Sequence, residues 1–465
     1  MQIPVLSGIY TDADSRFRTA YPRNLVPVPK PTGISTGYLA PADGIVAFGT
    51  GPGIDRGGIN WSGTCFRVMG QTLVSVSSSG AVTSYGTIPG SYRVSMDYSF
   101  DDMAIASDGN LYIFDGGAIT QVTDADLGTV LDVIWVDGYY MTTDGQYLVV
   151  TELGDPFSVN PLKYGSSEAD PDPIVALVKI RNEPYALNRY TIEVFDNVGG
   201  DLFPFARNEG AQIQKGCVGT HACCVYMDAV AFLGGGRNET VSVYVGANGG
   251  AAKIATDEID TVLSGYTEAQ LEQVLVESRV DGSHEWLYVH LPDITLAYDG
   301  AASRELGVPV WFTLTSSVVG DAQYRAKGHV YCYGKWIVGD PQVARVGYLS
   351  HELSSHYGAV NGWEFSTQII YNESRGAVFH SLELVSLNGR ISGVDPVVWA
   401  SYSLDGIEWS AEQSRKAGKY GERNRRIAWL QNGFMRDRRL QKFRGTSDAH
   451  IAIARLEANV EPLNV

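Results

Sequence analysis

The chain has 465 residues, of which 44% are apolar and 19% charged, and its formal net charge is −17. This apolar content excludes a disordered chain, and the length suffices for one large core or two ordinary ones. The acidic balance excludes a protein that coats nucleic acid over its whole surface, because phosphate binding is driven by clustered Lys and Arg.

The opening residues "MQIPVLSGIYTDADSRFRTAYPRN" lack a basic start followed by an apolar run, and nowhere do 18 apolar residues follow one another. Neither a signal peptide nor a membrane span is expected. The five cysteines, an odd count, then fit a reducing cytoplasm with free thiols and no disulfide. Residues 1–60, with the Pro-rich run "YPRNLVPVPKPTG", read as an extended arm that packs on a neighbour or closes a ring.

From 61 to 357 the chain shows short alternating strands punctuated by Gly, Asp and Asn, an all-β signature. A loose repeat of turn, strand, turn and strand begins at Met69, Ser107, Thr143, Leu187, Asn238, Ser283 and Tyr333, with starts 38, 36, 44, 51, 45 and 50 residues apart. That period matches a β-propeller blade and predicts six or seven blades, with Trp135, Trp286 and Trp336 packed between them. A large β-sandwich with irregular strand spacing is the competing architecture. One interruption, 264–277, contains "YTEAQLEQVLVE", in which Thr267 and Gln270 form a capping box before Leu271, Val274 and Leu275, so an inserted helix is expected there.

Within the same region "GCVGTHACC" holds Cys217, His221, Cys223 and Cys224. On an unbroken strand the first three share a face, yet Cys-x3-His-x-Cys matches no usual zinc spacing and lacks a fourth ligand. The stretch reads as a strand, with no metal site.

From 358 to 465 the repeat gives way to longer alternating strands, read as a C-terminal β-sandwich. "SLDGIEW", 403–409, approaches the Asp-box turn of sialidase propellers but is one residue short and lies outside the propeller; a hairpin turn accounts for it. The stretch 415–444 carries eleven Lys and Arg against two Asp and Glu, a balance of +9, while the remaining residues hold 24 against 50, or −26. In this basic stripe Arg423, Arg425, Arg426, Arg436, Arg438, Arg439 and Arg444 flank Trp429 and Phe434, a composition suited to subunit or adaptor contacts with the acidic body of a neighbour. Contact with DNA would use the same charges on phosphate. No phosphate loop, HExxH or GxSxG occurs, and no paired carboxylates or nucleophile and base can be assembled from motifs, so no catalysis, cofactor or small-molecule substrate is expected.

"AQIQKGCVGTHACC", "SGYTEAQLEQV", "SHEWLYVHLPDITLAYD", "RRIAWLQNGFMRDRRLQKFR" and the terminal "IAIARLE" together resemble the tail hub, or nozzle, of short-tailed bacteriophages, also called the packaged DNA stabilization protein. The resemblance runs from about Pro27 onward and is most specific between Gln212 and Asp299. It implies a non-enzymatic propeller subunit of the virion tail, made and assembled in the host cytoplasm. Such subunits form a homohexameric ring below the portal and its head-to-tail adaptor, with tailspikes or fibres outside, a needle or plug beneath, and genomic DNA held back and later conducted through the lumen. A propeller that binds or cleaves host surface glycan, in the manner of a sialidase, is the alternative from another class.

Overall fold

The computed structural model describes residues 2–3, 5–6, 9–11, 18–30, 35–200, 202–373, 375–388 and 395–463. Seven antiparallel sheets follow one another as blades: 55–87, 95–121, 132–166, 174–207, 216–253, 275–314, and 327–350 completed by Gly44–Thr50. Each blade begins at its inner strand, except that in the fifth the short Gly216–Cys217 comes before it. These inner strands are Asp55–Trp61, Ser95–Tyr98, Asp132–Val136, Ile174–Ile180, Cys223–Tyr226, Leu275–Asp281 and Lys327–Cys332, and each packs against the next until the seventh meets the first. The chain is therefore a seven-bladed propeller around one axis. Its ring is closed by Gly44–Thr50, which supplies the outer strand of blade 7 in the register Ser350↔Gly44 to Arg345↔Thr50.

Two-residue turns set the meander. At Asp108-Gly109 both residues have positive φ, 51° and 78°, and Ser62-Gly63 repeats the pattern at 51° and 77°. Such turns match the right-handed twist of the strands they join. Between blades the apolar faces interlock: Trp61, Phe66, Tyr85 and Phe114 form an aromatic cluster with ring centroids 5.0 to 5.9 Å apart across blades 1 and 2. Trp286 is buried against Val338 and Phe312 at the seam of blades 6 and 7.

The helix expected over 264–277 is much shorter. Thr267 and Gln270 do form the capping box, but the helix is only Glu268–Leu271, and Leu275–Asp281 is the inner strand of blade 6, paired with His284–His290. The β-branched Val274 and Val276 are buried there, and the ladder with the neighbouring strand outweighs the helical pattern. A second helix, Asp257–Leu263, precedes it, and a third, Gly300–Leu306, runs from its N-cap Asp299 to Gly307 at φ 70°.

Residues 1–60 do not form one extended arm either. Gln2–Ile3, Leu25–Pro29 and Gly37–Pro41 join a seven-stranded sheet with Ala452–Pro462 and Ala377–Leu387, while Gly44–Thr50 and Asp55–Trp61 belong to the propeller. Leu25 and Leu39 are fully buried in the sandwich core and need that sheet. Leu25–Pro29 lies at its edge, where Pro27 and Pro29 can be accommodated without an inward N–H. The second sheet of the sandwich is five-stranded and includes Gly362–Ser366, Arg438–Thr446, Val397–Ser403 and Gln413–Lys416. Trp363, Phe365, Phe379, Trp429 and Phe443 fill the space between the two sheets.

Propeller and sandwich are joined by polar brackets. Asn24, in the left-handed region at φ 52°, donates to the carbonyls of Thr315 (2.9 Å) and Gly362 (2.7 Å) and accepts from the Thr315 N–H (3.0 Å). One buried amide thus ties the N-terminal segment to both domains.

Candidate assembly surfaces and the propeller axis

The basic stripe is divided by strand parity. On Arg438–Thr446 successive side chains alternate between the sandwich core and the outer face. Arg439 points inward and is fully buried, its guanidinium over Phe379 (4.3 Å) and Tyr402 (3.9 Å) and donating to the Asn432 carbonyl (2.6 Å) and Gln441 Oε1 (3.0 Å). Trp429 is also fully buried, its indole N–H donating to the Gln413 carbonyl at 2.8 Å. These two residues, expected at an interface, are core residues of the sandwich.

Other members of the stripe are answered locally. Arg426 forms a bidentate pair with Glu383. Arg444 pairs with Glu412 at 2.5 Å through both nitrogens and lies over Trp399. Arg425 approaches Glu422 at 3.7 Å, and Lys416 binds Asp395 at 2.7 Å. The composition of the stripe overstates its field, because Glu383, Glu412 and Asp395 lie outside it in sequence but beside it in space. Of the stripe's arginines among the described residues, Arg423, Arg436 and Arg438 are the ones whose guanidinium groups have no hydrogen bond or ion pair to another described residue. Phe434 (58% exposed) and Leu430 (65%) flank the same turn, so free guanidinium groups and exposed apolar side chains sit together there.

A second exposed surface lies on one end of the propeller. Phe100, Met227, Val280 and Tyr331 are exposed at or beside the turns from first to second strand in blades 2, 5, 6 and 7. Four strands per blade return the chain to the same end each time, so these turns share one face. One exposed apolar side chain from each of these four blades therefore stands on this end of the ring.

The axis carries mixed charge. Lys179 donates to the Trp135 carbonyl at 2.5 Å and reaches Asp97 at 3.4 Å, while Asp132 accepts from the N–H of Val133 (2.9 Å) and Leu177 (2.8 Å). Burial pushes the Asp132 carboxyl up to about 6 and the Lys327 ammonium down to about 8. Arg67 and Asp55 form a buried bidentate pair at 2.7 Å, with Arg67 also donating to the Gly328 carbonyl at 3.0 Å.

"GCVGTHACC" is not one strand. Gly216–Cys217 and Cys223–Tyr226 both pair with Ala229–Gly235, and residues 218–222 loop out between them. Val218 N–H still reaches the Leu233 carbonyl (3.0 Å) and Leu233 N–H the Ala222 carbonyl (2.8 Å), so the extra residues 219–221 bulge out between two bonds to one residue and the parity argument fails. Cys217 and Cys223 are neighbours whose thiols donate to the carbonyls of Gly219 (3.2 Å) and Thr220 (3.7 Å). Burial, with Arg93 alongside, pushes the His221 imidazole down to about 3.

One constellation that sequence reasoning missed has the look of catalysis. Ser316 Oγ is 2.8 Å from His356 Nδ1, and Asn361 Nδ2 is 2.8 Å from His356 Nε2 and 3.0 Å from the Ser354 carbonyl. The Asn361 amide donates to both, which leaves Nε2 as the acceptor and puts the imidazole proton on Nδ1. His356 therefore donates to Ser316 and is not placed to take its proton. The group is buried at the junction of propeller and sandwich, and its role there is structural. "SLDGIEW" makes the expected turn: Asp405 Oδ1 accepts from the N–H of Ile407 and Glu408, both at 2.9 Å.

Comparison with known proteins follows this two-part architecture. Residues 1–354 match the family model described as the bacteriophage P22 Gp10 β-propeller, and 362–461 match the model of the P22 Gp10 β-sandwich. The chain is 28% identical over 457 residues to the tail hub protein gp10 of Salmonella phage P22, covering 94% of each. Among solved structures it is similar to PorZ of Porphyromonas gingivalis (12% identity, 80% of this chain and 46% of that one, TM-score 0.40). It is also similar to the Pan2 WD40 domain of Neurospora crassa (11% identity, 66% of this chain and 94% of that one, TM-score 0.40). These two likenesses carry no functional weight. The two family matches, in the order and at the places where the propeller and the sandwich stand, show that the chain belongs to the bacteriophage P22 Gp10 family of structural tail-hub proteins.

Proposed function

We propose that the chain is the subunit of a homohexameric tail hub that lengthens the channel formed by the portal and the head-to-tail adaptor. The ring helps retain packaged DNA and conducts it at ejection. Tailspikes or fibres and a needle or plug dock on it, and it performs no catalysis. The observation that carries this reading is the match of both domains, in order, to a tail hub over nearly the full length of each chain. Supporting it are the Arg436 and Arg438 side chains near exposed Phe434 in sequence, in a chain whose remaining residues carry an acidic excess, and the exposed apolar residues at one end of the propeller. Domain docking through Asn24 gives each subunit the stiffness that a ring requires.

The test is imaging of the purified chain mixed with DNA-filled capsids bearing portal and adaptor of the same phage. A six-fold ring below the adaptor is expected, with DNA retained on warming. Rings that form while DNA still leaks would refute the retention role, and binding of the chain as single copies would refute the hub.

A further inference from the structure

We propose that Glu277, His290 and His329 form a binding site for one divalent transition-metal ion of the zinc class, which clamps blade 6 to blade 7. Glu277 stands on the inner strand of blade 6, His290 on its second strand and His329 on the inner strand of blade 7. Their ligating atoms all lie within 4.8 Å of one another. Glu277 Oε1 is 2.7 Å from His290 Nε2 and 2.9 Å from His329 Nδ1. Two imidazoles and a carboxylate are the donor set that zinc-class ions take, usually with water in a fourth position.

Three further features point the same way. The His329 side chain is 1% exposed, and neither of its ring nitrogens has a hydrogen-bond partner; Nδ1 lies near Glu277 but out of line for one. A buried ring nitrogen that faces a carboxylate out of line for a hydrogen bond is costly unless something ligates it. His329 also owes its position to a break in the ladder between Lys327 and Val330, where Gly328 adopts φ 65° and the N–H groups of Gly328 (3.1 Å) and His329 (2.8 Å) grip Glu277. Bulges of this kind re-aim side chains next to sites. Finally, the ligands are held from behind: Thr295 Oγ1 is 2.9 Å from His290 Nδ1, leaving Nε2 toward the site, and Tyr288 stacks on His329 at 4.9 Å.

Metal bonds of about 2.0 to 2.2 Å in a tetrahedron set ligand atoms roughly 3.4 Å apart. The Glu277 carboxylate must therefore withdraw by about half an ångström, a movement its side chain can make. Arg93 and Lys327 face Glu277 and oppose a dication. Binding consequently rests on the imidazole bonds, which favours zinc, cobalt, nickel or copper over magnesium or calcium. By contrast, Asp43, Asp281 and His351 also converge, but the Arg279 guanidinium already pairs with both carboxylates and opposes a cation there, and His351 is exposed.

The test uses the full chain, stripped with a chelator and titrated with Co2+ and with Zn2+, with X-ray absorption on the loaded protein. One equivalent is expected, with visible ligand-field bands, imidazole and carboxylate scattering without sulfur, and a raised unfolding temperature. His329→Gln should lose the bands while keeping its circular dichroism. If excess Co2+ gives no bands and no thermal shift, or if sulfur ligands appear, the site is refuted. If His329→Gln does not fold, the scattering from the unaltered chain decides by itself.

Discussion

Arg439 offers the sharpest test of how the basic stripe is divided between core and surface. Burial pushes its guanidinium from 12.5 down to about 10, a penalty of roughly 3 kcal/mol for holding charge there. Two hydrogen bonds from a charged donor, to the Asn432 carbonyl and Gln441 Oε1, return about 1.5 to 3 kcal/mol each, and the Phe379 and Tyr402 faces add about 1 to 2. Arg439→Met removes the penalty together with these gains and keeps most of the packed volume. Its expected cost is about 1 to 5 kcal/mol. Arg439→Glu instead buries an unpaired carboxylate against a carbonyl and two aromatic faces, at a cost of more than about 4 kcal/mol. Urea unfolding followed by Trp fluorescence reads both, since Trp429 and Trp363 lie in the same core. Were Arg439→Glu as stable as the parent chain but unable to join the adaptor, Arg439 would be a surface contact and the parity argument would be wrong.

The double change Arg436→Glu and Arg438→Glu should leave stability within about 0.5 kcal/mol, because neither side chain has a partner, yet abolish ring formation on the adaptor; unchanged rings combined with lost DNA retention would transfer these residues to the lumen. Asn24→Ala breaks three buried hydrogen bonds and places a Cβ-bearing residue without local compensation at positive φ, so a loss of about 3 to 5 kcal/mol is expected, with limited proteolysis separating sandwich from propeller. Acid should destabilise the chain. His221 and His356 are each held at about 3 by burial, whereas the unfolded chain takes up these protons near 6.5, so stability present above that pH is lost as pH falls. Asp132, held up at about 6, works in the opposite sense between about 6 and 3.8, because there the folded state binds the proton first. From these three groups the net loss between pH 7 and pH 5 is about 2 to 3 kcal/mol, and a flat unfolding midpoint over that range would refute it.

Strand period and turn residues carried most of the architecture, because Asp-Gly and Ser-Gly dipeptides that enforce positive φ mark the hairpins wherever they stand. Local signals failed where distant partners decided. The capping box at Thr267 was real, but the ladder to His284–His290 claimed the residues that would have extended the helix. Leu25 and Leu39 were read with an arm because the strand that joins their hairpin to the sandwich, Ala452–Pro462, pairs with Leu39 from more than 400 residues away. Within the stripe, alternation alone distinguishes Arg439 from Arg438 and Arg444, and applying period two to "RRLQKFR" would have assigned it inward beside Phe443. Glu277, His290 and His329 left no such trace. They come from three strands and two blades, and only the closed ring brings them together.

The ring closure has a consequence for synthesis. Gly44–Thr50 is made about 300 residues before its partner, Arg345–Ser350, and Gly37–Pro41, already paired with Leu25–Pro29, waits longer still for Ala452–Pro462. At roughly 5 to 20 residues per second the first of these delays lasts from about 15 s to about a minute. Throughout that time the nascent chain exposes apolar strands that could pair with another copy emerging from the same message. Pro27 and Pro29 blunt only the outer edge, on Leu25–Pro29, which has no further strand beside it in the finished sheet. The propeller ring can therefore close before the sandwich does, and a product lacking Ala452–Pro462 would leave Gly37–Pro41 and Ala377–Leu387 without the strand that stands between them.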